Sequence, residues 1–275
     1  MYQMPILFLG SLIMVDFIGT LDITLRIATI GMGITAIELI ADRQAFGGEG
    51  PFSAAVVKAM GGIPECLLIG PATVAIIASV QLIASIILVI EGPLPIIGRL
   101  ALAVILLTSL LLKWRRNLGG DGAEQLATII IVAAVVAFLP TSSEDRAIIA
   151  VAFVTAQSAL AYVTSGLAKL VSPVWRDGSA LPAIFSTYYH GHAWAAQVLR
   201  NHNNINIVIG WGIMVLWVLL PILVLVGPYP LALATVLTGL IFHVASAIFM
   251  GLNTFAWVFP STYPCFFAIR SYLHG

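Results

Sequence analysis

Charged residues are scarce in this sequence, and their scarcity excludes an ordinary water-soluble domain. Only 9% of the 275 residues are Asp, Glu, Lys or Arg, whereas 60% are hydrophobic. A typical soluble domain carries about 25% charged residues, so this chain has too few charges to cover its surface in water. The mean hydropathy of +1.06 agrees with that conclusion. We therefore expect an all-α, polytopic helical membrane protein.

Other familiar signals are also missing. The formal net charge is zero, which gives no basis for nucleic-acid binding. The first 20 residues have no basic segment, and Asp16 interrupts their apolar run, so the pattern of a cleaved signal peptide is missing. No soluble domain, linker or repeat stands out. We expect a single integral membrane domain over residues 1–275.

Metal ligands and disulfides are poorly represented too. Cys66 and Cys265 are far apart and form no CxxC motif, and two buried thiols are favoured over a disulfide. His190 and His192 form an HxH pair that no acidic residue or cysteine accompanies. Such a pair is a weak signal for metal, so no metal site is predicted.

What the sequence has is apolar stretches of membrane-spanning length, since about 20 apolar residues cross a bilayer as a helix. Seven are predicted: residues 23–41, 72–90, 96–112, 126–139, 147–169, 205–226 and 231–259. Residues 4–20 form either an eighth span or a helix in the membrane interface. Residues 42–70 are too polar and too rich in Gly and Pro to cross, so they form a loop or a re-entrant segment.

The basic residues predict the orientation, because cytoplasmic loops are enriched in Lys and Arg. With seven spans, one side of the membrane holds chiefly Arg146. The opposite side, which the rule assigns to the cytoplasm, would hold Arg43, Lys58, Lys113, Arg115, Arg116, Arg176, Arg200 and Arg270.

Two of the spans carry a polar stripe at helical spacing. The stripes consist of Ser158, Tyr162, Ser165 and Lys169 in one span, and of His243, Ser246, Asn253 and Trp257 in the other. An ionisable group inside a bilayer is costly and needs a reason. We predict that the stripes face each other and line a cavity. The alternatives are a lysine that extends to the headgroups and a histidine that is only structural.

The segment KWRRNLGGDGAEQL is a further candidate site. Its basic residues either set the topology or belong to a site. Asp121 stands close to the start of the next helix, where a carboxylate caps free amides and suits the helix dipole. This end either is purely structural or binds an anion or carbonyl group.

Three segments resemble the horizontally transferred transmembrane (HTTM) domain, the family of the vitamin K-dependent γ-carboxylase and its bacterial relatives. They are SGLAKLVSPVWRDGSAL, RRNLGGDGAEQL and FHVASAIFMGLNTFAWVFPS, which appear in the family's order. The sequence departs from the family at Asn117, which Leu118 follows where the carboxylase has a histidine.

The resemblance implies a function. Lys169 falls on the lysine that deprotonates vitamin K hydroquinone, and His243 on a histidine of the same cavity. The cofactor would be vitamin K hydroquinone or menaquinol, with carbon dioxide and oxygen as co-substrates and a peptide or small protein as substrate. Tyr162, Ser165, Asn253 and Trp257 would contact the quinone, and Asn117, Asp121, Trp175 and Asp177 would form a substrate or loop site. Membrane lipid would surround the chain in a bacterial cytoplasmic membrane.

Two other hypotheses remain open. Short members of the family similar to sporulation-delaying protein B suggest a non-catalytic factor for maturation, export or immunity of a secreted peptide. A small transporter would use intramembrane His and Asp residues as proton carriers, although no internal symmetry favours it.

Overall fold

The fold is a bundle of α-helices, seen in a computed structural model that describes residues 15–61, 68–116, 120–187 and 191–274. The first half contains α1 (Phe17–Ala41), a 3₁₀ helix (Arg43–Phe46), α2 (Ala54–Met60), α3 (Pro71–Glu91), α4 (Ile96–Arg115) and α5 (Gly122–Phe138). The second half contains α6 (Glu144–Val171), α7 (Pro173–Arg176), α8 (Ala180–Phe185), α9 (Ala193–Arg200), α10 (Asn203–Val226), α11 (Tyr229–Met250), α12 (Phe255–Ser261) and α13 (Tyr263–His274).

Six of the described helices are long and apolar enough to cross a membrane: α1, α3, α4, α6, α10 and α11. Helix α5 is apolar but shorter, with 17 residues. The prediction of a polytopic helical membrane protein is confirmed. Of the optional span at residues 4–20, residues 4–14 lie outside the described part of the chain, and residues 17–20 belong to the start of α1.

The surface of the bundle is apolar and part of its interior is polar, as expected when lipid is the solvent. On α3, Ile76, Ile83 and Ile90 point outward and are more than half exposed. On the same helix Gln81 and Ser85 are buried against other helices. Helical periodicity thus places these three isoleucines where lipid would lie.

The last predicted span, residues 231–259, is wrong as a single helix. Helix α11 ends at Met250, and Gly251 adopts a left-handed conformation with φ of 69°. Glycine pays no steric penalty there, so it ends the helix. The chain then turns and continues as α12 and α13.

Helices α12 and α13 run back along α1 in the opposite direction. The hydroxyl oxygens of Thr254 and Thr35 are 2.9 Å apart near one end of α1. Nearer the other end, Sγ of Cys265 lies 3.2 Å from the hydroxyl oxygen of Thr24. The Thr262 hydroxyl also lies 2.9 Å from that of Ser158 on α6. Hydrogen bonds between helices are an effective link where water is absent. They place α12 and α13 between α1 and α6.

This return path corrects the orientation prediction for Arg270. Its guanidinium donates to the carbonyl of Val224, at the end of α10. Arg270 therefore lies at the same end of the bundle as Arg146, opposite to Lys169. We name the two ends the Lys169 end and the Arg146 end.

The cysteines and the loop 42–70 are only partly described. Cys265 is a free, buried thiol, as the sequence favoured. Cys66 lies outside the described residues. The described part of the loop contains the 3₁₀ helix and α2, which are both too short to cross a bilayer.

Candidate functional site

A cavity of about 470 Å³ lies between α6, α10, α11 and the short helices α7, α8 and α12. It extends inward from the Lys169 end, and apolar or aromatic side chains form most of its wall. Its polar lining residues, apart from tryptophans, are Tyr162, Ser165, Lys169, His243 and Ser246. An apolar pocket of this size with a few convergent polar groups is typical of a small-molecule site.

His243 lies at the inner part of this cavity and is 2% exposed. Its Nε2 atom lies 2.9 Å from the hydroxyl oxygen of Tyr162. That hydroxyl lies 3.2 Å from the hydroxyl of Tyr263. Nδ1 of His243 is buried and has no hydrogen-bond partner among the described residues. One imidazole nitrogen is thus buried without a partner at the inner end of the cavity.

Aromatic rings fix the plane of the imidazole. The His243 ring is nearly parallel to Phe259, at 7° with centroids 4.8 Å apart, and to Trp217, at 14° and 5.5 Å. Tyr162 also packs against Trp217, with centroids 4.9 Å apart. Four helices contribute to this cluster, so the ring orientation depends on how α6, α10, α11 and α12 pack together.

Lys169 lines the same cavity, and its side chain turns back along α6 toward Ser165. Its Nζ atom donates to Oγ of Ser165 at 2.6 Å and to the Ser165 carbonyl at 3.3 Å. It also lies 5.2 Å from the centroid of the Trp175 ring, a cation–π geometry. No carboxylate of the described residues pairs with it. The amine is therefore held half-buried at the wall of the cavity.

The loop after α6 brings Trp175 to the amine. Gly178 has φ of 83°, which suits glycine, and a Cβ atom there would lie 3.0 Å from the backbone nitrogen of Ile207. A Cβ atom at Gly210 would lie 3.0 Å from the Trp175 carbonyl. These close approaches pack α7 and its following turn directly against α10.

Lys169 and His243 lie at different depths. Tyr162, which bonds His243, precedes Lys169 by seven positions on α6, two turns or about 10 Å along the axis. The Lys169 amine and the His243 imidazole therefore line the same cavity but do not contact each other. A ligand several ångströms long would reach both.

Several predicted site residues lie elsewhere. Asn253 and Trp257 do not continue the face of His243, because α11 ends before them, and neither is among the cavity-lining residues. The Asn253 amide donates to Glu38 at 2.8 Å. Trp257 packs against Gly31 of α1. Of the four residues predicted for this second stripe, only His243 and Ser246 line the cavity.

The loop residues have local structural contacts. Asp121 accepts a hydrogen bond from the Glu124 amide at 2.8 Å and caps α5. Asp177 accepts from the hydroxyl and the amide of Ser179, and these bonds lower the pKa of its exposed carboxyl group. Neither lines the cavity. Asn117 lies outside the described residues.

Trp217, Phe259 and Tyr263 were missed by the sequence reasoning. Each occurs in an apolar helical stretch, where an aromatic residue is usually part of the core. The signal for Tyr263 was a polar hydroxyl within an apolar run. That signal becomes informative only when α13 is known to return beside α6.

No family model, curated protein or solved structure matches this chain.

Proposed function

We propose that this chain is an integral membrane enzyme of the γ-carboxylase-like type, in which Lys169 acts as general base and His243 assists. One observation supports the proposal above the others: both residues line a single apolar cavity. The resemblance of three sequence segments to the HTTM domain agrees with it. The proposed reaction modifies a side chain of a peptide or small protein, and carboxylation of glutamate is the candidate modification.

The environment of Lys169 suits proton transfer. Its amine contacts a hydroxyl, a carbonyl and a ring face, and no described carboxylate fixes it as an ion pair. A lysine held in this way can exchange a proton with a ligand that enters the cavity. Ser165 and Trp175 would orient the amine.

The cavity residues fit a reduced quinone, vitamin K hydroquinone or menaquinol. The volume of this largely apolar cavity, about 470 Å³, is within the range of small-molecule sites. Trp217, Phe259 and His243 form part of the cavity wall, and Nδ1 of His243 is a buried polar atom without a partner there. When bound, the quinol would supply the reducing power for a reaction that also takes oxygen and carbon dioxide.

The basic residues suggest which side of the membrane the site faces. Most lie at the Lys169 end, and only Arg26, Arg99, Arg146 and Arg270 lie at the opposite end. The positive-inside rule then places the Lys169 end in the cytoplasm. We propose a bacterial cytoplasmic membrane, whose lipid phase would deliver the quinol.

Quinone retention tests this proposal. Ala245 lines the cavity, so Ala245→Phe fills it, whereas Ile241→Phe changes an exposed position of the same helix. Mass spectrometry of organic extracts should find menaquinone with the purified wild-type chain and with Ile241→Phe, but not with Ala245→Phe. Equal quinone content in the three proteins, or none in any, would exclude the cavity as a quinone site.

A non-catalytic membrane factor is the second candidate. The cation–π contact of Lys169 with Trp175 favours it, because that contact alone gives the amine a structural role. Such a factor would bind a peptide or lipid in the cavity and assist maturation, export or immunity. It would tolerate Arg at position 169, since arginine also stacks on tryptophan.

A further inference from the structure

Three polar groups form a short chain at the inner end of the cavity. The hydroxyls of Tyr263 and Tyr162 are 3.2 Å apart, and the Tyr162 hydroxyl is 2.9 Å from Nε2 of His243. No other described residue bonds these hydroxyls or His243 Nδ1. Each hydroxyl carries one proton, which allows three arrangements. In one of them, Nε2–H and the Tyr263 hydroxyl both donate to Tyr162, so Nδ1 is an acceptor and the Tyr162 proton has no acceptor among the described residues. In the other two, both bonds run in the same direction.

In one direction, Tyr263 donates to Tyr162, and Tyr162 donates to Nε2 of His243. The neutral imidazole then carries its proton on Nδ1. In the opposite direction, Nε2–H donates to Tyr162, which donates to Tyr263. Nδ1 is then an acceptor, and the Tyr263 proton has no acceptor among the described residues.

The number of unmet polar groups distinguishes the three arrangements. When Tyr263 donates to Tyr162 and Tyr162 donates to Nε2, only the buried Nδ1–H of His243 lacks a partner. Each of the other two arrangements leaves both the Nδ1 lone pair and one tyrosine proton without a partner among the described residues. A buried polar group without a partner is costly. The first direction therefore leaves the fewest unmet groups.

We propose that Tyr162, supported by Tyr263, is a positioning residue that holds neutral His243 in the Nδ1–H tautomer. At its free nitrogen, His243 then has a donor and no acceptor for the oxygen of a ligand that displaces the neighbouring side chains. It cannot be the base at the same nitrogen, which leaves that role to Lys169. This inference deepens the proposed function and depends on it for the presence of a ligand.

Nitrogen-15 NMR of histidine tests the inference directly. The chain would be labelled with ¹⁵N-histidine and placed in lipid nanodiscs, and His243→Gln would identify the His243 signals. We expect a protonated Nδ1 and an unprotonated, hydrogen-bonded Nε2. Tyr162→Phe should remove the preference for the Nδ1–H form. Tyr263→Phe should keep the form but shift Nε2 toward its unbonded value, because the Tyr162 hydroxyl loses its own donor.

Tyr272→Phe is the matched control, since Tyr272 is exposed and lies outside this chain of hydroxyls. It should leave the His243 signals unchanged. A wild-type His243 protonated at Nε2 would overturn the inference. So would unchanged His243 signals in Tyr162→Phe, even if that variant unfolds at a lower temperature, because the hydroxyl would then be merely structural.

Addition of menaquinone separates this inference from the proposed function. A shift of the Nδ1 signal would support both. If Nδ1 is protonated as expected but its signal does not respond to menaquinone, the proposed positioning of His243 by Tyr162 is supported and the quinone proposal fails.

Discussion

The hydroxyl oxygen of Tyr162 lies 2.9 Å from Nε2 of His243, although the two residues are 81 positions apart. This contact joins the two helices that carry the candidate groups. Tyr162 is 2% exposed and sits on the same helix as Lys169. The position of the imidazole in the cavity therefore depends on how α6 and α11, which both pack against α10, are placed relative to each other.

Replacement of Lys169 should separate a catalytic from a structural amine. Lys169→Ala removes the proposed base, and loss of general base catalysis typically lowers a rate by about 10²- to 10⁴-fold. Lys169→Arg should be nearly as inactive, because a guanidinium does not give up its proton. The measurement is menaquinol-dependent incorporation of ¹⁴C-bicarbonate into peptide in membranes that contain the chain.

Leu167→Ala is the control for that experiment, since Leu167 is exposed on the same helix turn. It should keep the wild-type rate. Full activity of Lys169→Arg would contradict a base and favour the non-catalytic role.

Gly166 should be essential for the packing of α6 on α10. A Cβ atom at Gly166 would lie 2.7 Å from Cγ2 and 2.9 Å from the backbone nitrogen of Val218. Backbone cannot move away locally, so Gly166→Ala should lower the free energy of unfolding by about 1–3 kcal/mol. Denaturation by SDS in mixed micelles would measure the change.

Gly212→Ala is a matched control on α10, because nothing lies within 4 Å of a Cβ atom there. Alanine should leave the stability unchanged or raise it by up to about 1 kcal/mol, since it favours the helix. Equal effects of the two substitutions would show that the α6–α10 approach is looser than described.

Gly251 should be required for the break after α11. Its φ of 69° costs an L-residue about 1–2 kcal/mol, and no side-chain clash adds to this because the surrounding space is open. Gly251→Ala should lower the thermal unfolding midpoint, and Gly251→Asn should lower it less. An increase in stability with alanine would mean that α11 continues through this position.

The Lys169 end should face the cytoplasm. In a background with Cys66 and Cys265 replaced by serine, single cysteines would be placed at Glu49 and at Thr141, which are exposed at opposite ends. A membrane-impermeant maleimide added to intact cells should label the cysteine at position 141 and not the one at 49. Both should react after permeabilisation. The reverse pattern would place the cavity mouth outside.

Most of the helices could be predicted from the sequence, because a long apolar run has no stable form in a bilayer other than a helix. The run at residues 205–226 lies within α10, and residues 147–169 lie within α6. The break at Gly251 was not predicted, because glycine also occurs inside membrane helices and hydropathy alone does not register a positive φ.

Of the polar face predicted on α6, Tyr162, Ser165 and Lys169 line the cavity, whereas Ser158 lies outside it and contacts Thr262. Helical periodicity fixes which residues of one helix share a face. It cannot show which face of another helix lies opposite, so Asn253 and Trp257 were placed with His243 in error.

By itself, the sequence determined that this chain is a helical membrane protein with a lysine and a histidine on apolar helices, because local hydropathy and helical spacing carry that information. Only the tertiary structure decided that the two residues share a cavity and that Tyr263 returns beside Tyr162. Those contacts depend on the packing of helices distant in sequence, and in particular on the direction that the chain takes after Gly251.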